Sequence, residues 1–139
     1  VMVGFPGETQ EDFEKLCNFV ESAKFDKLGA FAYSKEEGTP AAKLKEQVHP
    51  MTKKARYNKI MEIQQKVSEE NLNKYIGKQL EVLVEGKTID GKYYVCRSYM
   101  DVPDIDGLIY LNNSKELKIG DFVKCTIKSS INEYDLLGE

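Results

Sequence analysis

The chain has 139 residues, 41% of them hydrophobic and 31% charged, with a net charge of -3 and a pI near 5.4. That balance suits a soluble chain of one ordinary or two small domains, and disfavours a broad electrostatic grip on nucleic acid. No run approaches the roughly 18 apolar residues of a membrane span, and the start lacks the layout of a secretory signal, so a cytosolic protein is the default.

The first three residues, Val1-Met2-Val3, read as the end of a buried strand cut at its beginning, so the expectation is a chain that starts inside a longer gene product. A turn follows at residues 4–9. Thr9 then offers an N-cap, with Asp12 three residues on completing a capping-box-like pair. Phe13, Leu16, Cys17 and Val20 fall on one helical face, which predicts a helix to about Ala23. Residues 28–33 are apolar and partly aromatic and suit a second buried strand, making a βαβ arrangement. Residues 35–50, broken by Gly38, Pro40 and Pro50, read as a loop. A second helix is expected from about Thr52 to Tyr75. Its stripe is Tyr57, Ile60, Met61, Val67, Leu72 and Tyr75, with Gly77 as a natural stop. Lys53, Lys54, Arg56 and Lys59 form a basic cluster, read as a solvated helix face.

After Gly77 the period becomes alternating. Leu80, Val82 and Val84 share a face, and Asp90-Gly91 turns the chain into residues 93–97. Residues 107–111 make a third strand. Val123, Cys125 and Ile127 share a face in a fourth, and residues 132–137 make a fifth. Five short strands predict a small antiparallel barrel, because closure removes exposed edges. The expected class is α+β. The expected division is 1–50, a linking helix at 51–76, and a barrel domain at 77–139. The first 75 residues carry 12 Lys+Arg against 12 Asp+Glu, and the remainder carries 8 against 11. The acidic excess therefore lies in the barrel, and an acidic module favours basic partners.

Cys17, Cys96 and Cys125 lack metal-ligand spacing, and the lone His49 stands far from them in sequence. They read as buried or partly buried thiols in a reducing compartment. The turn holding Gly4 and Gly7 sits at a strand-to-helix junction, where backbone approaches a ligand closely. It lacks a P-loop lysine and does not match GxGxxG, so the residues alone leave a structural role open. The segment around residues 97–107 carries Arg97, Asp101, Asp104 and Asp106. A carboxylate row suits a Lys/Arg-rich protein, while a solvated acidic loop is the plain alternative. Tyr93, Tyr94, Tyr99, Tyr110 and Tyr134 are candidates either for core packing or for stacking on RNA bases.

Several of these segments together resemble one family. Val3-Gly4-Phe5-Pro6-Gly7-Glu8-Thr9 with Glu11-Asp12-Phe13, and Phe31-Ala32-Tyr33-Ser34 with Glu37-Gly38-Thr39-Pro40-Ala41, resemble the radical-SAM methylthiotransferases. Gly77, Leu80-x-Val82-Leu83-Val84, Gly120-Asp121-Phe122-Val123 and Leu137-Gly138-Glu139 are similar to the five-stranded TRAM domain of that family. Residues 97–107 and 133–136 resemble its RimO branch. The resemblance implies the tail of a partial (βα) barrel followed by TRAM. In it, Gly4, Phe5, Pro6, Gly7, Phe31, Tyr33 and Ser34 would line an S-adenosylmethionine pocket at the carboxyl ends of barrel strands. Arg97, Tyr99, Asp101, Asp104 and Asp106 would bind the substrate protein.

The parent would carry two 4Fe-4S clusters and attack the unactivated β-carbon of an aspartate in small-subunit ribosomal protein twelve, chemistry that a cofactor must supply. The CxxxCxxC motif of the family and the three cysteines of its second cluster are absent here. Neither set carries over to Cys17, Cys96 or Cys125, so the fragment by itself is expected to hold no cofactor and to be inactive. Two alternatives stay open: a tRNA methylthiotransferase piece with an RNA-binding TRAM domain, and a free-standing binding module.

Overall fold

In a computed structural model, residues 1–98 and 107–139 are described, and the chain divides into two units, Val1–Ser68 and Glu69–Glu139.

In the first unit a short strand, β1 (Met2–Val3), leads through the turn into helix α1 (Gln10–Ala23) and back to β2 (Phe31–Ala32). The strands are parallel, with Met2 opposite Phe31 and Val3 opposite Ala32. Alternation along a strand divides the two sides. Val3 and Ala32 pack with Phe13, Val20 and Ile60, while Met2 and Phe31 stay exposed. α1 begins as expected: Thr9 Oγ1 accepts from the Asp12 N–H (3.1 Å), and Asp12 Oδ2 accepts from the Thr9 N–H (3.0 Å). It ends at Lys24, which takes the left-handed conformation usual at a helix stop.

Helix α2 (Pro50–Asn73) starts two residues earlier than expected. Pro50, read as a loop breaker, opens the helix, where its missing N–H costs nothing and its fixed φ is helical. His49 Nδ1 accepts from the Met51 N–H (3.1 Å) and caps the first turn. The buried residues of α2 also differ from an apolar stripe. Ile60 and Val67 are buried, but so are Arg56, Gln64, Ser68 and Asn71. Gln64 Nε2 donates to the Phe25 carbonyl (2.9 Å) and to Ser68 Oγ (3.0 Å), which offsets part of the cost of burying an amide.

The second unit is a closed barrel of β3 (Gln79–Lys87), β4 (Tyr94–Ser98), β5 (Ile109–Leu111), β6 (Phe122–Ser130) and β7 (Leu136–Gly138), in ring order β3-β4-β5-β7-β6. Four of the neighbouring pairs are antiparallel, and β5–β7 is parallel. The expectation of an antiparallel barrel is therefore corrected to a mixed one. The reason is parity: strands that alternate direction around a closed ring must be even in number, so a ring of five needs at least one parallel pair. Leu80, Val82, Val84, Tyr94, Cys96, Ile109, Leu111, Cys125, Ile127 and Leu136 fill the interior, with Leu72 and Tyr75 packed against them.

The last strand is shorter than residues 132–137. Asn132 Oδ1 accepts from the N–H groups of Tyr134 and Asp135 (both 2.8 Å), and this side-chain turn holds residues 132–135 out of the ladder. Entry to β5 is equally tight. A Cβ at Gly107 would lie 1.9 Å from the Tyr134 carbonyl oxygen, so glycine alone permits that approach. Among the described residues, no helix is long and apolar enough to cross a membrane.

Candidate functional site

In the first unit the sequence-flagged residues converge around the turn between β1 and α1. Gly4 and Gly7 both have positive φ (75° and 88°), the conformation glycine adopts most readily. Three amides of the turn are already engaged. Gly4 N–H donates to Glu8 Oε1 (2.9 Å), Gly7 N–H to the Glu46 carbonyl (3.0 Å), and Glu8 N–H to the Phe5 carbonyl (3.0 Å). The turn therefore does not offer these N–H groups to an anion, unlike a phosphate-binding loop.

What it exposes is aromatic. Phe5 is 43% exposed and Phe31 57% exposed, and Phe5 meets Tyr33 edge-on at 5.3 Å. Tyr33 is buried, and its hydroxyl has no hydrogen-bond partner among the described residues. Ser34 lies exposed beyond β2 and donates to Glu36 Oε1 (2.9 Å), while Pro6 is half-buried. The exposed Phe5 and Phe31 rings offer flat apolar surface of the kind that can stack on an adenine base.

The residues that hold this turn were missed by reading α2 as a solvated basic face. Arg56 is buried and pairs with Glu8 (2.7 Å), and its Nη1 also donates to the Glu8 carbonyl (3.2 Å). Its guanidinium lies over the Phe13 ring at 5.4 Å. Lys53 Nζ donates to the Tyr33 carbonyl (3.0 Å), and its side chain occupies the space where Gly4 lacks a Cβ. Only Lys54 and Lys59 of the cluster match the solvated reading. Two basic residues three apart near the start of a helix are a weak signal. Their partners lie 20 and 48 residues away, beyond what local periodicity can show.

In the barrel, Arg97 points outward on β4 and its Nε donates to Glu85 Oε2 (2.8 Å), with only 14% of the side chain exposed. Tyr99, Asp101, Asp104 and Asp106 lie outside the described residues. Tyr94 belongs to the core, where its hydroxyl accepts from the Leu117 N–H (3.0 Å), while Tyr93 and Tyr110 are half-buried and Tyr134 is exposed.

Iron–sulfur ligation does not fit the three cysteines. Among the described residues no group of three or more His, Cys, Asp or Glu converges. Cys96 and Cys125 are free and buried inside the barrel. Burial pushes the Cys96 thiol up to about 12, with smaller contributions from Cys125 and Glu85, and burial raises Cys125 as well. A metal ligand needs the thiolate, which these sites oppose.

Comparison with known proteins agrees with this fold. A family profile described as TRAM domain matches residues 76–139. The "Ribosomal protein uS12 methylthiotransferase RimO" of Alkaliphilus oremlandii (strain OhILAs) is 56% identical over 140 residues, covering 100% of this chain and 32% of the relative. Proteins of the same name from Thermoanaerobacter sp. (strain X514) and Thermotoga maritima are 52% and 47% identical, each over 99% of this chain and 31% of their own length. The chain thus spans about a third of the length of these relatives. With similarity along its whole length and a TRAM match over residues 76–139, the chain belongs to the RimO family of methylthiotransferases.

Proposed function

We propose that the chain is the carboxy-terminal part of a radical-SAM enzyme that methylthiolates an aspartate of ribosomal protein uS12. In this reading residues 1–50 are the tail of the radical-SAM domain, 51–76 a linking helix, and 77–139 a TRAM domain that recognises the substrate protein. The observation that carries it is identity of about half, along the whole chain, to proteins named for that activity. The acidic excess of the barrel supports a basic protein partner over an RNA backbone.

Phe5, Phe31, Tyr33 and Ser34, with the turn of Gly4, Pro6 and Gly7, would hold the adenosine part of S-adenosylmethionine. When bound with a 4Fe-4S cluster, that cofactor supplies the radical chemistry an unactivated C–H bond requires. The chain's own contribution is positional. Lys53 and Arg56 fix the turn, and the Phe5 and Phe31 rings exclude water from the face they cover. Arg97 with Tyr99, Asp101, Asp104 and Asp106 would contact uS12. The cluster ligands would lie elsewhere in the parent, whose location would be cytosolic, and the chain alone would be inactive.

The test is a pair of titrations of the 139-residue chain, one with purified uS12 and one with bulk tRNA, at low and moderate salt. Saturable binding of uS12 with weak tRNA affinity is the expected result. Tight, steeply salt-dependent tRNA binding without measurable uS12 binding would replace this reading with the RNA-modifying one.

A further inference from the structure

We propose that the outer face of β4, β5 and β7 is a preformed groove that docks a polypeptide segment presenting an apolar side chain beside lysine or arginine. The inference rests on the reading that the barrel recognises protein, and it gives that recognition a place built from β4, β5, β7 and the turns beside them.

Register carries the first step. Val95 lies opposite Tyr110, and Tyr110 opposite Leu137, so three outward side chains form one row across three strands. The inward neighbours of the same strands, Tyr94, Cys96, Ile109, Leu111 and Leu136, already fill the core. The outward row is therefore apolar surface beyond what folding requires, on a side of the barrel that is ordinarily polar.

Two walls make that row concave. The β3–β4 hairpin tip brings Ile89, and the β6–β7 turn brings Ile131, which is 53% exposed; Ile89 is fully exposed. The groove is open to solvent, with a volume of about 970 Å³, room for several side chains. Both walls are stiffened by their own hydrogen bonds. In the hairpin, Thr88 N–H donates to the Tyr93 carbonyl (2.9 Å), and Thr88 Oγ1 donates to Asp90. In the turn, Asn132 Nδ2 donates to Asp135 Oδ2 (2.8 Å), while Asp135 Oδ1 accepts from the Leu108 N–H (2.7 Å). A groove that is rigid before binding loses little entropy on docking.

Charge selects the occupant. Asp90 and Asp135 stand at the groove, one on each wall. The groove's cation, Lys87, is drawn over the Tyr94 ring at 4.7 Å. Lys92 reaches Asp90 only as an exposed pair at 3.8 Å, weak enough for an incoming cation to displace. Hydrogen bonds from Thr88 and the Lys92 backbone hold the Asp90 carboxyl below its usual range, so it stays ionised. Phosphates would meet two carboxylates against the one lysine that lines the groove, whereas Lys or Arg next to an apolar anchor would be complemented. Among the described residues the barrel ring is closed, so no open strand edge is offered for main-chain pairing and recognition runs through side chains.

The experiment measures binding of intact uS12, of fluorescein-labelled overlapping uS12 peptides, and of tRNA to the 139-residue chain by anisotropy. Five proteins are compared: wild type, Tyr110→Ala, the double variant Ile89→Lys/Ile131→Lys, Asp90→Asn, and Phe122→Ser. Ile89 and Ile131 are exposed, so the double variant leaves the core intact. Phe122 is an exposed aromatic outside the groove. At least tenfold weaker uS12 binding by Tyr110→Ala and the double variant is expected, with Phe122→Ser within twofold of wild type. The best peptides should pair an apolar residue with Lys or Arg, and Asp90→Asn should weaken them about threefold.

If wild type binds uS12 and the double variant binds it equally well, the groove proposal fails while the function reading stands. If wild type binds tRNA and not uS12, the function reading fails. Loss of tRNA binding in the groove variants would make the groove an RNA site and overturn the proposal.

Discussion

Replacing Gly4 with alanine tests whether the turn is held from α2. Two costs combine. A non-glycine residue at φ 75° loses about 1 kcal/mol to left-handed backbone sterics. The new Cβ would also sit 2.2 Å from Lys53 Cγ and 2.7 Å from its Cδ, so the lysine side chain must swing away. Doing so breaks the 3.0 Å bond from Lys53 Nζ to the Tyr33 carbonyl. A hydrogen bond from a charged donor contributes about 1.5–3 kcal/mol, so the total comes to about 2.5–4 kcal/mol.

In a Lys53→Ala background the collisions with Cγ and Cδ are gone and only a close 3.1 Å contact with the Cβ stays, so Gly4→Ala should cost little more than about 1 kcal/mol. The coupling between the two sites is then about 2 kcal/mol, close to thirtyfold in an equilibrium constant. The chain divides into two units, so a single global melting curve would blend two events. Amide exchange at Phe13, Val20 and Ile60, in the first unit's core, reads the relevant one. An equal cost of Gly4→Ala in both backgrounds would refute the clasp.

Three further outcomes follow from other parts of the molecule. Gly107→Ala should destabilise the barrel by about 2–3 kcal/mol, because the Cβ meets main-chain oxygen that cannot rotate away. Exchange of the β5 amides should rise, and little change there would count against the close approach. The raised Cys96 pKa means the folded barrel keeps a proton that the unfolded chain releases. Stability should therefore fall as pH climbs above about 9, at up to about 1.4 kcal/mol per pH unit, and Cys96→Ala should flatten that slope in urea titrations. The Asp12 carboxyl is held below its usual range, first by the Thr9 backbone N–H and then by the Thr9 side chain. Its capping support is present above the ordinary carboxylate pKa and fades as pH drops through the depressed value. Thr9→Ala should cost about 1 kcal/mol near neutrality, read from exchange in α1.

Much of this architecture was legible because its causes are local. The Thr9–Asp12 cap, the stop after Ala23, and the inward alternation of Leu80, Val82 and Val84 each depend on residues a few positions apart. The parallel β5–β7 pair was not seen because strand counting alone omits ring parity. The clasp was hidden for a different reason. Lys53 and Arg56 have the composition of a solvated face, and only the return of β1 and β2 to α2 gives them partners. The candidate groove was similarly masked. Val95, Tyr110 and Leu137 sit on three separate strands, and each alone reads as ordinary strand composition. The cofactor-side aromatics Phe5 and Phe31 could be named from motif resemblance, but their exposure needed coordinates.

The placement of β7 between β5 and β6 also sets a clock on folding. β7 is three residues long, yet it bridges β5 and β6 and is the last strand in sequence. On a ribosome, where residues emerge in order, the ring stays open until Gly138 is free of the exit tunnel. Until then β5 and β6 each carry an unsatisfied edge, available to neighbouring nascent chains. Crowded translation would thus penalise any slowing near the last codons of this segment more than slowing anywhere earlier in the barrel.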